Sequence, residues 1–144
     1  MTQNREIRIA AALITRPDGQ TLLVRKAGTS AFMQPGGKME PAEAPGDALC
    51  RELHEELALT VKPEELRYLG QYSAAAANEP DHVVIAEVFH LLVTSNVFPE
   101  AEIEEIVWVN PQAPGNLVLA PLTRDLILPL CAKPLDHGTP IALA

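Results

Sequence analysis

Residues 37–59 read GKMEPAEAPGDALCRELHEELAL, and their centre, Arg51-Glu52-Leu53-His54-Glu55-Glu56, packs four charges and a histidine around one leucine. In a helix, Glu52, Glu55 and Glu56 stand at i, i+3 and i+4 and project from one side. At roughly 100° per residue, Leu49, Leu53 and Leu57 form a second stripe about 100° round from the glutamates. One stripe can therefore be buried while the other faces a cleft. Pro45 suits a first helical position and Asp47 suits the positive end of the helix dipole, whereas Ala44 is a poor cap. The spacing predicts a helix over Pro45 to Leu57 that ends before Pro63.

Three carboxylates on one face repel one another, and each pKa unit lost by the charged form costs about 1.4 kcal/mol. Arg51 can neutralise one of them. A hard divalent cation fits the set better, because Mg²⁺ and Mn²⁺ prefer oxygen ligands and bridge carboxylates to phosphates. The plainer alternative is a solvated, Glu-rich helix face, which is what most charge runs are.

The flanking residues favour the first reading. Gly37 is followed at fixed spacing by Glu43, Arg51-Glu52-Leu53, Glu55-Glu56 and Ala58-Leu59. This resembles the Nudix box, the signature of the MutT-like Nudix hydrolases, with Ala58 standing where the box has glycine. The resemblance implies an α/β fold of the Nudix α/β/α sandwich type, a mixed β-sheet between helices. It also implies Mg²⁺ or Mn²⁺ held by Glu52, Glu55, Glu56 and the carbonyl of Gly36. Arg51 and Glu43 would then orient the ligating carboxylates, and Glu55, Glu52 or a loop glutamate would take the proton from the attacking water. Ala58 can adopt the glycine's φ > 0 at a cost of about 1 kcal/mol. It lies beyond the carboxylates, so the site is expected to stay intact.

Composition agrees with a compact enzyme. A chain of 144 residues with 47% hydrophobic and 21% charged content suits a single domain over residues 1–144. Cys50 and Cys131 are too few for a disulfide framework and read as buried thiols. The polar start, Met1 to Glu6, is unlike a signal peptide, and no apolar run reaches a membrane span, so a cytoplasmic protein is expected. A net charge of −8 argues against nucleic acid as a partner and gives no reason to expect a membrane. It also repels polyanionic nucleotides at long range, so such a substrate and the carboxylate cluster are compatible only through cations.

Outward from the box, Ile7 to Thr15 reads as a strand buried on both faces, and Thr21 to Arg25 as its hairpin partner across the turn Arg16-Pro17-Asp18-Gly19. Arg25 closes that hairpin and, by the resemblance, contacts a substrate phosphate. Ala27 to Met33 reads as a loop leading to Gln34-Pro35-Gly36-Gly37, whose glycines let backbone approach a ligand. Leu66 to Ala75 and His82 to Thr94 read as strands, the second central. The acidic stretch Glu100 to Glu105 reads as a loop ahead of a short strand, Ile106 to Val109. By resemblance to the antimutator branch of the family, Glu102 joins the metal site, with Glu105 as the next candidate. Thr123 to Ala132 reads as a second helix capped by Thr123 and kinked or ended by Pro129. Thr123 also occupies the place of an asparagine that reads the base in antimutator enzymes. Residues 133–144 show no period, and are expected to be a loose tail or to pack on a second subunit of a homodimer. His54, His82, His90 and His137 lack ligand spacing, and none is taken as catalytic.

The implied activity is metal-dependent hydrolysis of a diphosphate linkage in a nucleoside triphosphate or related nucleoside diphosphate derivative, by a monomer or homodimer. ADP-ribose or a nucleotide sugar is the alternative substrate. A non-catalytic nucleotide-binding module is the alternative of another class.

Overall fold

The computed structural model describes residues 5–132. Its elements in chain order are β1 (Arg5–Thr15), β2 (Thr21–Lys26), β3 (Gly36–Lys38), α1 (Pro45–Leu57), β4 (Arg67–Ala75), β5 (His82–Leu92), β6 (Ile103–Val109) and α2 (Leu128–Ala132). A 3₁₀ turn, Pro63–Glu65, precedes β4, and a π-helical stretch, Leu122–Ile127, runs directly into α2.

The strands form one mixed sheet in the order β4-β5-β1-β2-β6, with β3 also paired to β1. β1 and β5 run parallel over the whole of β1, from Arg5 opposite His82 to Thr15 opposite Leu92. From Ala10 to Thr15 β1 is buried on both faces, as its apolar run requires, while Arg5, Glu6 and Arg8 are exposed. Alternation then divides its side chains: Ala10, Ala12 and Ile14 join Leu49, Leu53 and Leu57 of α1 in one core. Ala11 and Leu13 join Ala86, Val88, Leu122, Ile127 and Cys131 in a second core on the opposite face. The molecule is thus a sheet between helices, and the leucine stripe of α1 lies fully buried.

Four local readings need correction. The hairpin of β1 and β2 pairs only where Thr15 meets Thr21. Further along, β3 takes the place of β2, with Ile9, Ala10 and Ala11 opposite Lys38, Gly37 and Gly36. A glycine-rich triplet has little strand propensity of its own, so only pairing reveals it. Second, β6 begins at Ile103, so Glu104 and Glu105 are strand residues. Arg25 stands opposite Glu105 across the ladder, and this opposite-charge pairing extends the strand into the acidic run. Third, Thr123 caps nothing: the helix is entered at Pro121 without a side-chain cap. Fourth, of the two effects expected of Pro129, a kink or an end, the end does not occur, and the helix continues to Ala132. Proline removes one backbone donor, and the preceding stretch is wound so that Leu128 N–H reaches Thr123 O, five residues back.

Both cysteines are free, Cys131 buried and Cys50 half-buried. Burial pushes the Cys131 thiol up to about 11. Among the described residues no helix is long and apolar enough to cross a membrane. The expectation for residues 133–144 lies outside the described residues.

Candidate active site

The loop Gly36-Gly37 and helix α1 meet in a way that neither can change alone. At Gly36, φ is +145°, and a β-carbon there would collide with Ala10 O and Ala11 Cα of β1. At Gly37, a β-carbon would lie 2.6 Å from both carboxylate oxygens of Glu52. Gly37 is thus the space that Glu52 occupies.

Arg51 ties the rest together. Its Nε and Nη2 donate to Glu43 Oε2 and Oε1 at 3.0 and 2.8 Å, a bidentate pair. Nη1 donates to Glu52 Oε2 at 3.0 Å, and Nη2 also donates to Lys38 O at 3.2 Å. The hydrogen bonds from Arg51 hold the Glu43 carboxyl down at about 2, helped by the Glu40 backbone N–H. The same partners raise the Arg51 guanidinium above its already high value. Glu55 stands 3.9 Å from Arg51 and is half exposed.

Glu56 is the odd member of the triad. It is 4% exposed, and burial pushes its carboxyl up to about 7, with Glu52 and Glu102 adding repulsion and Lys26 opposing it. Gly36 N–H donates to its Oε1 at 3.2 Å. Among the described residues no three carboxylate, imidazole or thiol side chains stand as a finished metal cage. The carboxylates are held by protein cations, Arg51 on Glu52 and Lys26 on Glu102 at 3.7 Å. The donor set nevertheless fits a hard divalent cation. It offers oxygen atoms only, and one comes from a buried carboxylate whose charged form is disfavoured until a cation neutralises it.

The other expected site residues divide by position. Arg25 directs its guanidinium at Glu104, Glu105 and Thr29 O, which keep it fully charged. Lys26, the next residue, lines a cavity of about 160 Å³ beside the Gly36-Gly37 loop. The ladder between β2 and β6 is irregular between Arg25 and Lys26, and such a bulge re-aims consecutive side chains. Thr123 is fully buried and lines the same cavity, its hydroxyl without a hydrogen-bond partner. Gln34, which the sequence reading passed over, lines it too. A polar residue in an otherwise apolar segment next to the glycine loop was the available signal. His90 is a core residue, bonded to Thr15 Oγ1 at 2.8 Å and pushed down to about 4 by burial.

Ala58 closes α1 in the left-handed conformation, φ 57° and ψ 30°, with its N–H on His54 O. The backbone thus takes the shape a glycine would give, and the carboxylate end of the helix is undisturbed.

Comparison with known proteins agrees with this geometry. The profile of the NUDIX domain matches residues 5–129. The CTP pyrophosphohydrolase of Escherichia coli (strain K12) is 30% identical over 128 residues, which cover 84% of this chain and 88% of that protein. The solution structure of the E. coli ORF135 protein superposes with a TM-score of 0.68 at 26% identity, covering 92% of this chain and 96% of the other. A MutT protein from Methanosarcina mazei Go1 superposes with a TM-score of 0.66 at 28% identity over 78% of this chain and 82% of its own.

Proposed function

This chain belongs to the NUDIX domain family, and on that premise we propose that it is a divalent-metal-dependent pyrophosphohydrolase of nucleoside triphosphates. The observation that carries the reading is the packing of Glu52 and Glu56 against the Gly36-Gly37 loop, beside a cavity that Lys26 also lines. A solvated helix face would have no need of a carboxylate buried in this way. The CTP pyrophosphohydrolase relative supports a nucleoside triphosphate as substrate.

Glu52, Glu55, Glu56 and the Gly36 carbonyl would hold the metal, with Glu102 close enough to Glu56 to repel its charge. When bound, the metal supplies charge neutralisation at the phosphates and lowers the pKa of attached water. The residues do the rest. Arg51 fixes the orientation of Glu52 and, through Glu43 and Lys38 O, fixes itself. Glu55, exposed and only loosely paired, takes the proton of the attacking water. Lys26 is placed to meet a phosphate oxygen, while Arg25 stiffens the end of β2 against β6.

The test is product release from nucleoside triphosphates, ADP-ribose and nucleotide sugars with Mg²⁺, in wild type and Glu55→Gln. We expect nucleoside monophosphate and pyrophosphate from the triphosphates, and a loss of about 10²- to 10⁴-fold in kcat in the variant. Nucleotide binding without turnover in either protein would instead identify a non-catalytic module. Turnover of ADP-ribose or sugar nucleotides alone would replace the triphosphate assignment.

A further inference from the structure

The cavity beside the glycine loop has apolar walls, among them Ile7, Ile9, Val84 and Leu122, and small side chains at Ala75 and Ala76. Two buried side-chain oxygens among its lining residues have no hydrogen-bond partner, Gln34 Oε1 and Thr123 Oγ1. Gln34 is 6% exposed and Thr123 is fully buried. Buried polar atoms are nearly always satisfied, so two orphans in one pocket are places that a bound ligand can complete.

The chemistry of the two atoms narrows the ligand. Gln34 Nε2 donates to Ala12 O at 2.9 Å. Turning the amide over would set its oxygen against that carbonyl, so Oε1 is the atom left over, and it can only accept. The Thr123 hydroxyl can donate or accept. The cavity therefore offers one fixed acceptor and one adaptable group. Its volume of about 160 Å³ is that of a space holding one six-membered ring, since an apolar cavity of about 150 Å³ takes up benzene.

We propose that Gln34 is a specificity-determining residue that accepts a hydrogen bond from the exocyclic amine of a single-ring base, with the Thr123 hydroxyl completing the contact. This rests on the reading of the chain as a nucleotide hydrolase. An aminopyrimidine such as cytosine presents a donor to Gln34 Oε1 and acceptors to Thr123. The oxo analogue, uracil, turns an acceptor towards Oε1, which is then left without a donor, while the Thr123 hydroxyl can still donate. Sites built to bond a substrate N–H reject the analogue lacking it far better than apolar pockets reject a change of size.

The experiment compares matched pairs, CTP with UTP for kcat/KM and CMP with UMP for Kd by calorimetry. The proteins are wild type, Gln34→Leu and Thr123→Val, each checked by thermal unfolding. Wild type should favour the amino base by on the order of tenfold or more in both measurements, and Gln34→Leu should bring the ratio close to one. Gln34→Leu should leave UMP binding little changed. A wild-type ratio within about twofold would overturn the proposal without any variant, even where both triphosphates are hydrolysed. So would a preference that survives both substitutions. Selective, Gln34-dependent binding of CMP by a protein that hydrolyses nothing would uphold the role of Gln34 and defeat the hydrolase reading.

Discussion

The two helical layers treat their polar groups in opposite ways. On the α1 side, the donors of Arg51 reach Glu43, Glu52 and the Lys38 carbonyl, and Glu52 fills a space that only Gly37 leaves open. On the opposite face, the π-helical stretch ahead of α2 carries Thr123 into the cavity with its hydroxyl unpaired. The difference separates two tasks. On the function proposed above, groups that must be rigid before the substrate arrives are satisfied by the protein, and groups proposed to choose among substrates are left for the ligand.

The preset α1 side is most sensitive to change at Gly37. Its backbone lies outside the left-handed region that favours glycine, and the three atoms nearest the methyl added in Gly37→Ala all belong to the Glu52 carboxylate. Displacing that group by about 1 Å should lower kcat by about 10²-fold with little change in Tm. Unchanged turnover would mean that Glu52 need not sit where Gly37 admits it.

Glu56 departs from its neighbours in α1, because it is a carboxylate whose charged form burial disfavours. Its folded-state pKa of about 7 lies above the ordinary 4.5. The associated stability is therefore fully present below pH 4.5 and is lost as pH rises through 7. In EDTA, Glu56→Gln should match wild type at about pH 4 and exceed it at pH 8, by up to about 3 kcal/mol. Mg²⁺ should stabilise wild type more at pH 8 than at pH 5, because binding requires the carboxylate. Parallel pH profiles for the two proteins in EDTA would remove Glu56 from this role.

The smallest expected effect is at the helix end. Ala58→Gly relieves a left-handed alanine, φ 57°, and should stabilise by about 0.5–1 kcal/mol without altering kcat. A change in kcat would show that the α1 terminus is coupled to the carboxylates after all.

Much of the α1 side was legible in the sequence. The helix runs from Pro45 to Leu57 as its spacing indicates, with the leucine stripe inside and an uncapped Ala44 at its start. The strands β1 and β5 were legible as mostly apolar runs. These features rest on local periodicity and on residues that start or stop a helix, and such signals are complete within a few turns of chain. The burial of Glu56 was not legible, since its spacing puts it with Glu52 and Glu55 and only contact with Gly36 sets it apart.

What the tertiary structure decided is which distant residues meet. β3 exists because Gly36 and Gly37 lie against Ala11 and Ala10, not because glycine favours a strand. A ladder irregularity between Arg25 and Lys26 leaves Arg25 on Glu104 and Glu105 and Lys26 in the cavity, although the two are adjacent and equally basic. Gln34 and Thr123, far apart in the chain, line one pocket because the segments that carry them pair directly, Phe32 N–H on Val118 O and Ala120 N–H on Phe32 O. Periodicity fixes which way a side chain faces within its own element. Register and packing across the sheet fix what it faces, and those depend on pairings between segments that no single stretch contains.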